Sequence, residues 1–163
     1  MIVRRILAVA IENLDPVDRR LLKALQEDGR ISNAELARRC NLSPAACFER
    51  VRRLRERGVI TGYAALIDPA KVGRGLMIFV EVLLDRTTGD MFEAFAESVR
   101  RQPEVLECHM VAGGFDYLIK ARVGDMDAYR AFLSDVLVRI PGVRETRTYA
   151  VLEEVKSTTA LPL

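Results

Sequence analysis

Five arginines fall within the eight positions from Arg50 to Arg57 of the stretch LSPAACFERVRRLRERG, which runs from Leu42 to Gly58. A guanidinium is planar, permanently charged and carries its donors in a rigid fork, so it matches both phosphate oxygens and the guanine edge. Such a run either grips DNA or solvates an exposed helix face. Cys47, Val51 and Leu54 recur at i, i+4 and i+7 and mark one buried side, which turns Arg50, Arg52, Arg53 and Arg57 elsewhere. On that reading the first turn, Ser43, Ala45, Ala46 and Glu49, lies nearest the base edges and the arginines lie over phosphates. The small residues at the tip imply modest base readout, with affinity drawn from salt-dependent backbone charge.

A second constellation is VAGGFDY, from Val111 to Tyr117. Two glycines between apolar runs permit positive φ and expose backbone N–H groups, a nest suited to a carboxylate, while Asp116 can accept from an ammonium group. Together they suit an amino acid zwitterion. A plain β-hairpin turn explains the same residues more simply. Catalysis and metals find no footing: His109 is the single histidine, Cys40, Cys47 and Cys108 form no CxxC, and no nucleophile or phosphate-loop motif occurs. No catalytic residue, metal ligand or cofactor is expected, and the cysteines read as reduced thiols of a cytoplasmic protein.

The elements that must position the arginines begin at LDPVD, where Asp15 is placed to cap a helix with Pro16 at its first position. Leu21, Leu22 and Leu25 form its apolar stripe and Gly29 ends it. Ser32 and Glu35 stand in capping-box spacing for a second, two-turn helix with Leu36, Ala37 and Cys40 on its buried face. NLSP breaks that helix, with Asn41 suited to a left-handed conformation, and Ser43-Pro44 opens a third that Gly58 closes. A short helix, a tight turn and a basic second helix make a helix-turn-helix, so capping, turn chemistry and charge all favour DNA over a solvated face.

Residues 59–75 hold glycines and prolines in an extended apolar pattern and read as a connector. Beyond it the order is strand Leu76–Leu84, a helix capped by Asp90 with Phe92, Phe95, Ala96 and Val99 inward, and strands Val105–Val111 and Tyr117–Val123 joined by AGGFD. A helix capped by Asp125 follows, bearing Tyr129, Phe132, Leu133, Val136 and Ile140. Pro141-Gly142 stops it before a last strand, Val143–Val155. This βαββαβ order is the ferredoxin-like arrangement. Each helix is followed by Pro-x-Val-x-Glu, first Pro103, Val105 and Glu107, then Pro141, Val143 and Glu145, which hints at two βαβ halves. Met77, Phe79 and Leu83 make the second face of the first strand apolar as well, and another copy of the chain is the economical cover.

The 163 residues, half of them apolar, suit one or two small folded domains. Charge is divided: residues 1–60 carry 13 Lys+Arg against 8 Asp+Glu, net +5, and the remainder 12 against 15, net −3. MIVRRILAVAIEN superficially resembles a signal peptide, but its apolar run of six is short and lacks a cleavage site, so residues 1–13 read as an arm. No run approaches a membrane span.

These motifs taken together, with DGRISN, ERVRRL, ECHMV, FDYLIK, DMDAYR and TRTYAVLEEVK, resemble the leucine-responsive regulatory protein / AsnC family from about Leu14 to Lys156. The resemblance implies an α+β protein: a winged helix-turn-helix at 14–60, a connector at 61–75 and a ferredoxin-like effector-binding and oligomerisation (RAM) domain at 76–163. It implies a transcription regulator that binds double-stranded DNA and forms homodimers assembling to octamers or higher. A small amino acid effector, leucine foremost, binds between dimers. Position by position, Gly113 and Asp116 match the family's effector motif, and Met126, Thr146, Thr148 and Tyr149 match positions that line or tune the same site. Asn41 departs from the glycine usual at that turn. The alternatives are an architectural chromosome-organising protein without effector and a regulatory subunit of an amino-acid enzyme; the basic helix-turn-helix speaks against the latter.

Overall fold

A computed structural model describes residues 13–85 and 88–163. The expected arm at 1–13 lies outside the described residues, Asn13 excepted. The chain divides into two compact units, one running up to Ala65 and including Ser157–Leu163, the other Leu66–Lys156. The second domain was expected to run to residue 163. Its last seven residues instead group with the first unit, where the Gln26 side chain donates to the Leu161 carbonyl (3.1 Å) and accepts from its N–H (2.6 Å).

The first unit is three helices, α1 (Pro16–Glu27), α2 (Asn33–Cys40) and α3 (Pro44–Glu56). Each begins at the residue whose side chain can satisfy an orphan N–H: Asp15 accepts from Asp18 N, Ser32 from Glu35 N and Ser43 from Ala46 N. Gly29 does not cap α1; the helix stops at Glu27, and the Asp28 carboxylate turns the chain by accepting from Arg30 N at 2.8 Å. Asn41 does adopt the left-handed region, φ 55°, and closes α2. Leu21, Leu36, Ala37, Cys40 and Cys47 form the shared core, with Val51 packed at its edge. Residues 59–69 run on without a ladder partner among the described strands.

The second unit is β1 (Leu76–Leu84), α4 (Gly89–Arg100), β2 (Val105–Met110), β3 (Tyr117–Val123), α5 (Met126–Asp135) and β4 (Val143–Ala150). The sheet is antiparallel throughout, in the order β2-β3-β1-β4, which is the ferredoxin-like order. Ile78, Val80, Val82 and Leu84 of β1 pack with Ile119 and Ala121 of β3 and with Phe95, Phe132 and Leu137 of the helical layer. The Pro-x-Val-x-Glu echo has a structural counterpart. Register slips between Val105 and Glu107 in β2 and between Val143 and Glu145 in β4, so Leu106 and Arg144 are bulged residues at the same point of both halves.

Several bounds move. Thr88, not Asp90, precedes α4, and Asp90 lies in the first turn, where the helix dipole favours a carboxylate. β2 stops at Met110, one residue short of Val111. α5 ends at Asp135, and a tighter turn over Leu137–Arg139 follows, which rotates Leu137 fully into the core. β4 ends at Ala150 rather than Val155, and beyond it the Val151 N–H still bonds Met77 O at 3.0 Å. Beyond β4, Glu154 meets Arg122 at 2.6 Å, and Met77 beside that pair is already buried in the single chain.

Gly142 adopts φ +87°, and a Cβ there would drive into the Met91 thioether. A side chain at Gly113 would meet nothing. Gly142→Ala is therefore expected to cost about 1–3 kcal/mol in urea denaturation, whereas Gly113→Ala changes stability by less than about 0.5 kcal/mol.

Candidate nucleic-acid interface and effector hairpin

α3 is basic, yet its arginines are not equivalent. At about 100° per residue the row opposite Cys47, Val51 and Leu54 is Ala45, Glu49, Arg52 and Glu56. Arg53 falls on one flank of that row, Phe48 and Arg55 on the other. Cys47 and Leu54 are fully buried and Val51 half-buried, so this outward row is fixed by the core. Ser43, Ala45 and Ala46 are exposed around the helix start, as expected of a tip. Asn33 of α2 donates to the Pro44 carbonyl at 2.9 Å and ties the two helix starts together. Nothing in the spacing of Asn33 announces that bond.

Arg52 is bracketed by acids along the outward row: Nη2 meets Glu49 Oε2 at 2.8 Å and Nη1 meets Glu56 Oε1 at 2.5 Å. These are exposed pairs between side chains three and four residues apart, weak enough to exchange for a phosphate. Arg53 and Arg55 make no ion pair among the described residues, and both are exposed, as is Arg57. Arg55 was missed from sequence, although the helical repeat alone sets it at the rim of the outward face.

Arg50 departs from expectation. It was placed over phosphates, but its side chain is 26% exposed and its Nη1 donates to Asp15 Oδ2 at 2.6 Å and to Asp18 Oδ1 at 2.9 Å. Asp18, 8% exposed, is the one charged residue buried among those described. The other Asp15 oxygen caps α1 through Asp18 N at 2.7 Å. That backbone N–H, first, and then the Arg50 guanidinium hold the Asp15 carboxyl below its ordinary value. The spacing of Asp15 and Asp18, one helical turn apart at the start of α1, was the available signal.

The hairpin between β2 and β3 differs from a glycine-driven turn. Neither Gly113 nor Gly114 adopts positive φ, contrary to the geometry expected, and neither approaches another group closely; both are simply exposed backbone. Asp116 is the anchor: Oδ2 accepts from Leu84 N at 2.8 Å, and its backbone N–H donates to Val82 O at 3.0 Å. This pins the hairpin to the end of β1.

The remaining effector candidates are spread over the sheet. Thr146 and Thr148 pair with Val82 and Val80 on the helix-covered face, where Thr148 Oγ1 bonds the Tyr129 hydroxyl. Tyr149 points to the other face, and its hydroxyl donates to Glu81 Oε1 at 3.1 Å. Met126 opens α5, beyond the end of β3 opposite Asp116. A single chain thus brings Thr146 and Thr148 together but gathers neither of them with Gly113, Asp116, Tyr149 or Met126. Burial pushes the Cys108 thiol up to about 11, so it is protonated and a poor nucleophile at neutral pH. Among the described residues no helix is long and apolar enough to cross a membrane.

The chain matches the Lrp/AsnC ligand binding domain over residues 77–161 and a winged helix-turn-helix DNA-binding domain over residues 14–61. It is 52% identical over 150 residues to the leucine-responsive regulatory protein of Escherichia coli K12, covering 92% of each chain. Among solved structures it resembles a transcriptional regulator of Neisseria meningitidis in complex with L-Met, with 43% identity, a TM-score of 0.88 and coverage of 91% of this chain and 96% of that one. It likewise resembles the feast or famine regulatory protein of M. tuberculosis complexed with L-methionine, with 35% identity, a TM-score of 0.79 and coverage of 91% and 98%.

Because the folded value of Asp15 is depressed, its contribution to stability is complete above the ordinary 3.8 and is lost as pH falls through the lower folded value. Asp15→Asn keeps a helix cap but carries no such charge. Thermal melts from pH 5 to pH 2.5 are expected to fall less steeply for the variant than for the unaltered chain.

Proposed function

The chain belongs to the Lrp/AsnC family of amino-acid-responsive, DNA-binding transcription regulators, and we propose that in it α3 is the DNA-reading helix and the Asp116 hairpin part of the effector site. The observation that carries the first assignment is the outward row of Ala45, Glu49 and Arg52, flanked by Arg53 and Arg55, which are exposed and make no ion pair among the described residues. A small tip with one acid offers few base contacts, so sequence selectivity is modest and much of the affinity is charge. Arg52 exchanges its acidic neighbours for phosphate on binding.

Gly113, Asp116, Met126, Thr146, Thr148 and Tyr149 cannot all line one site within a chain, which supports a site completed where copies meet. The half-buried Phe79, Leu83 and Leu118 on the open sheet face support homodimers as the unit of assembly, with octamers or larger species built from them. The effector is an amino acid with an apolar side chain: relatives are named for leucine or were solved with methionine. An effector that prefers one assembly shifts the population toward it, and DNA affinity follows through the number of linked helix-turn-helix units. The protein acts in the cytoplasm, without catalysis, a cofactor or a metal.

Mobility shift on promoter fragments, repeated with leucine, methionine and other amino acids, tests this reading. A shift altered by at least one apolar amino acid is expected; silence across the panel would favour an architectural role. Asp116→Asn retains an acceptor for Leu84 N but not the charge. It is expected to weaken effector affinity tenfold or more while DNA binding without effector stays within twofold.

A further inference from the structure

The apolar core of the first unit reaches α3 through Cys47 and the partly buried Val51, and Leu54 is buried one turn further on. Alongside this buried strip, charge ties α3 to the start of α1. One guanidinium nitrogen does it: Arg50 Nη1 bonds carboxylates on both sides of the start of α1, Asp15 at 2.6 Å and Asp18 at 2.9 Å. Asp15 in turn is fixed by capping α1, and Asp18 is buried, so neither acid can follow a moving arginine outward. Breaking the pairs would leave a buried carboxylate without its cation.

We infer that Arg50 is a positioning residue for DNA recognition: locked by Asp15 and Asp18, it holds α3 at the rotation that the buried strip of Cys47, Val51 and Leu54 favours, and so keeps the same side chains facing the bases. Arg50 itself does not contact DNA. A helix rotated by one residue position turns its outward row by about 100°, enough to replace Ala45, Glu49 and Arg52 by neighbours. The lock therefore governs sequence selectivity, whereas Arg53 and Arg55, exposed at the flanks, govern general affinity for the backbone. This rests on the reading that α3 faces DNA.

The electrostatic sign separates this role from the two simpler ones. If Arg50 were a phosphate contact restrained by its acids, Asp18→Asn would release it, remove a negative charge and tighten binding to every duplex. As a positioning lock, the same substitution weakens selective binding although the unit has become more basic. A purely structural pair would change melting temperature and leave selectivity alone.

The test uses the full chain and two duplexes of equal length, one enriched from a random pool by the unaltered protein and one scrambled. It is run at a temperature where circular dichroism shows every variant folded. Asp18→Asn and Arg50→Gln are expected to weaken binding to the enriched duplex tenfold or more, with affinity for the scrambled duplex within twofold and its salt slope unchanged. Asp15→Asn, at the less buried acid, should show the same pattern more mildly and stands in should either of the others fail to fold. Arg53→Ala, in contrast, should lower affinity for both duplexes and make both salt slopes shallower, by about one unit for each helix engaged. Tighter or unchanged binding of the enriched duplex by the Asp variants overturns the proposal, as does a uniform loss on both duplexes or a shallower slope for Arg50→Gln. An unchanged slope for Arg53→Ala would count instead against the placement of α3 on DNA.

Discussion

A helix that carries five arginines in eight residues repels itself and can be held only along a narrow strip. In this protein the strip is Cys47, Val51 and Leu54, and everything the first unit can do follows from which residues lie opposite it. Opposite are a small tip, two acids and an arginine; at the sides are two arginines that make no ion pair among the described residues. Beside the strip, the Arg50 guanidinium between two carboxylates adds a second tie from α3 to the start of α1. The same charge type thus does two unlike things on one helix. Exposed, it is open to a phosphate; partly buried between acids, it is a fixed strut.

The second unit solves a different problem. Its sheet covers one face with α4 and α5 and leaves Phe79, Leu83 and Leu118 on the other, interspersed with Glu81, Lys120 and Arg122. Two matching bulges, at Leu106 and Arg144, bend β2 and β4 at corresponding points, so the halves are related in backbone detail as well as in order. Asp116 then ties the β2–β3 hairpin to the end of β1 through Leu84 N and Val82 O. An effector bound near this hairpin would act on a segment already coupled to the central strand, which is the physical route by which a small molecule could bias assembly.

Most of this architecture could be read in the residues. The helix starts at Asp15, Ser32, Ser43 and Asp125 are written in side chains that satisfy N–H groups, and β3 spans the same Tyr117–Val123 that alternation marks. What escaped was set by tertiary partners. β4 pairs with β1 only as far as Ala150 although its own residues do not change character there, and Leu137 enters the core only through a tightened turn after α5. The hairpin glycines looked like a device for positive φ and are not, whereas Asp116 proved to be an internal anchor as well as a candidate ligand. On α3 the count of arginines was plain, but the inward commitment of Arg50 needed two acids 32 and 35 residues away.

The central claim is that α3 meets DNA along the row from Ala45 to Arg52 while the ferredoxin-like unit does not. Hydrogen–deuterium exchange of the full chain, with and without a bound duplex, reads this directly, since the first N–H groups of α3 have no intrahelical acceptors. Slowed exchange across residues 43–57, with β2 and β3 unchanged, is the result predicted. Protection confined to residues 105–123, with the start of α3 unaffected, would contradict it.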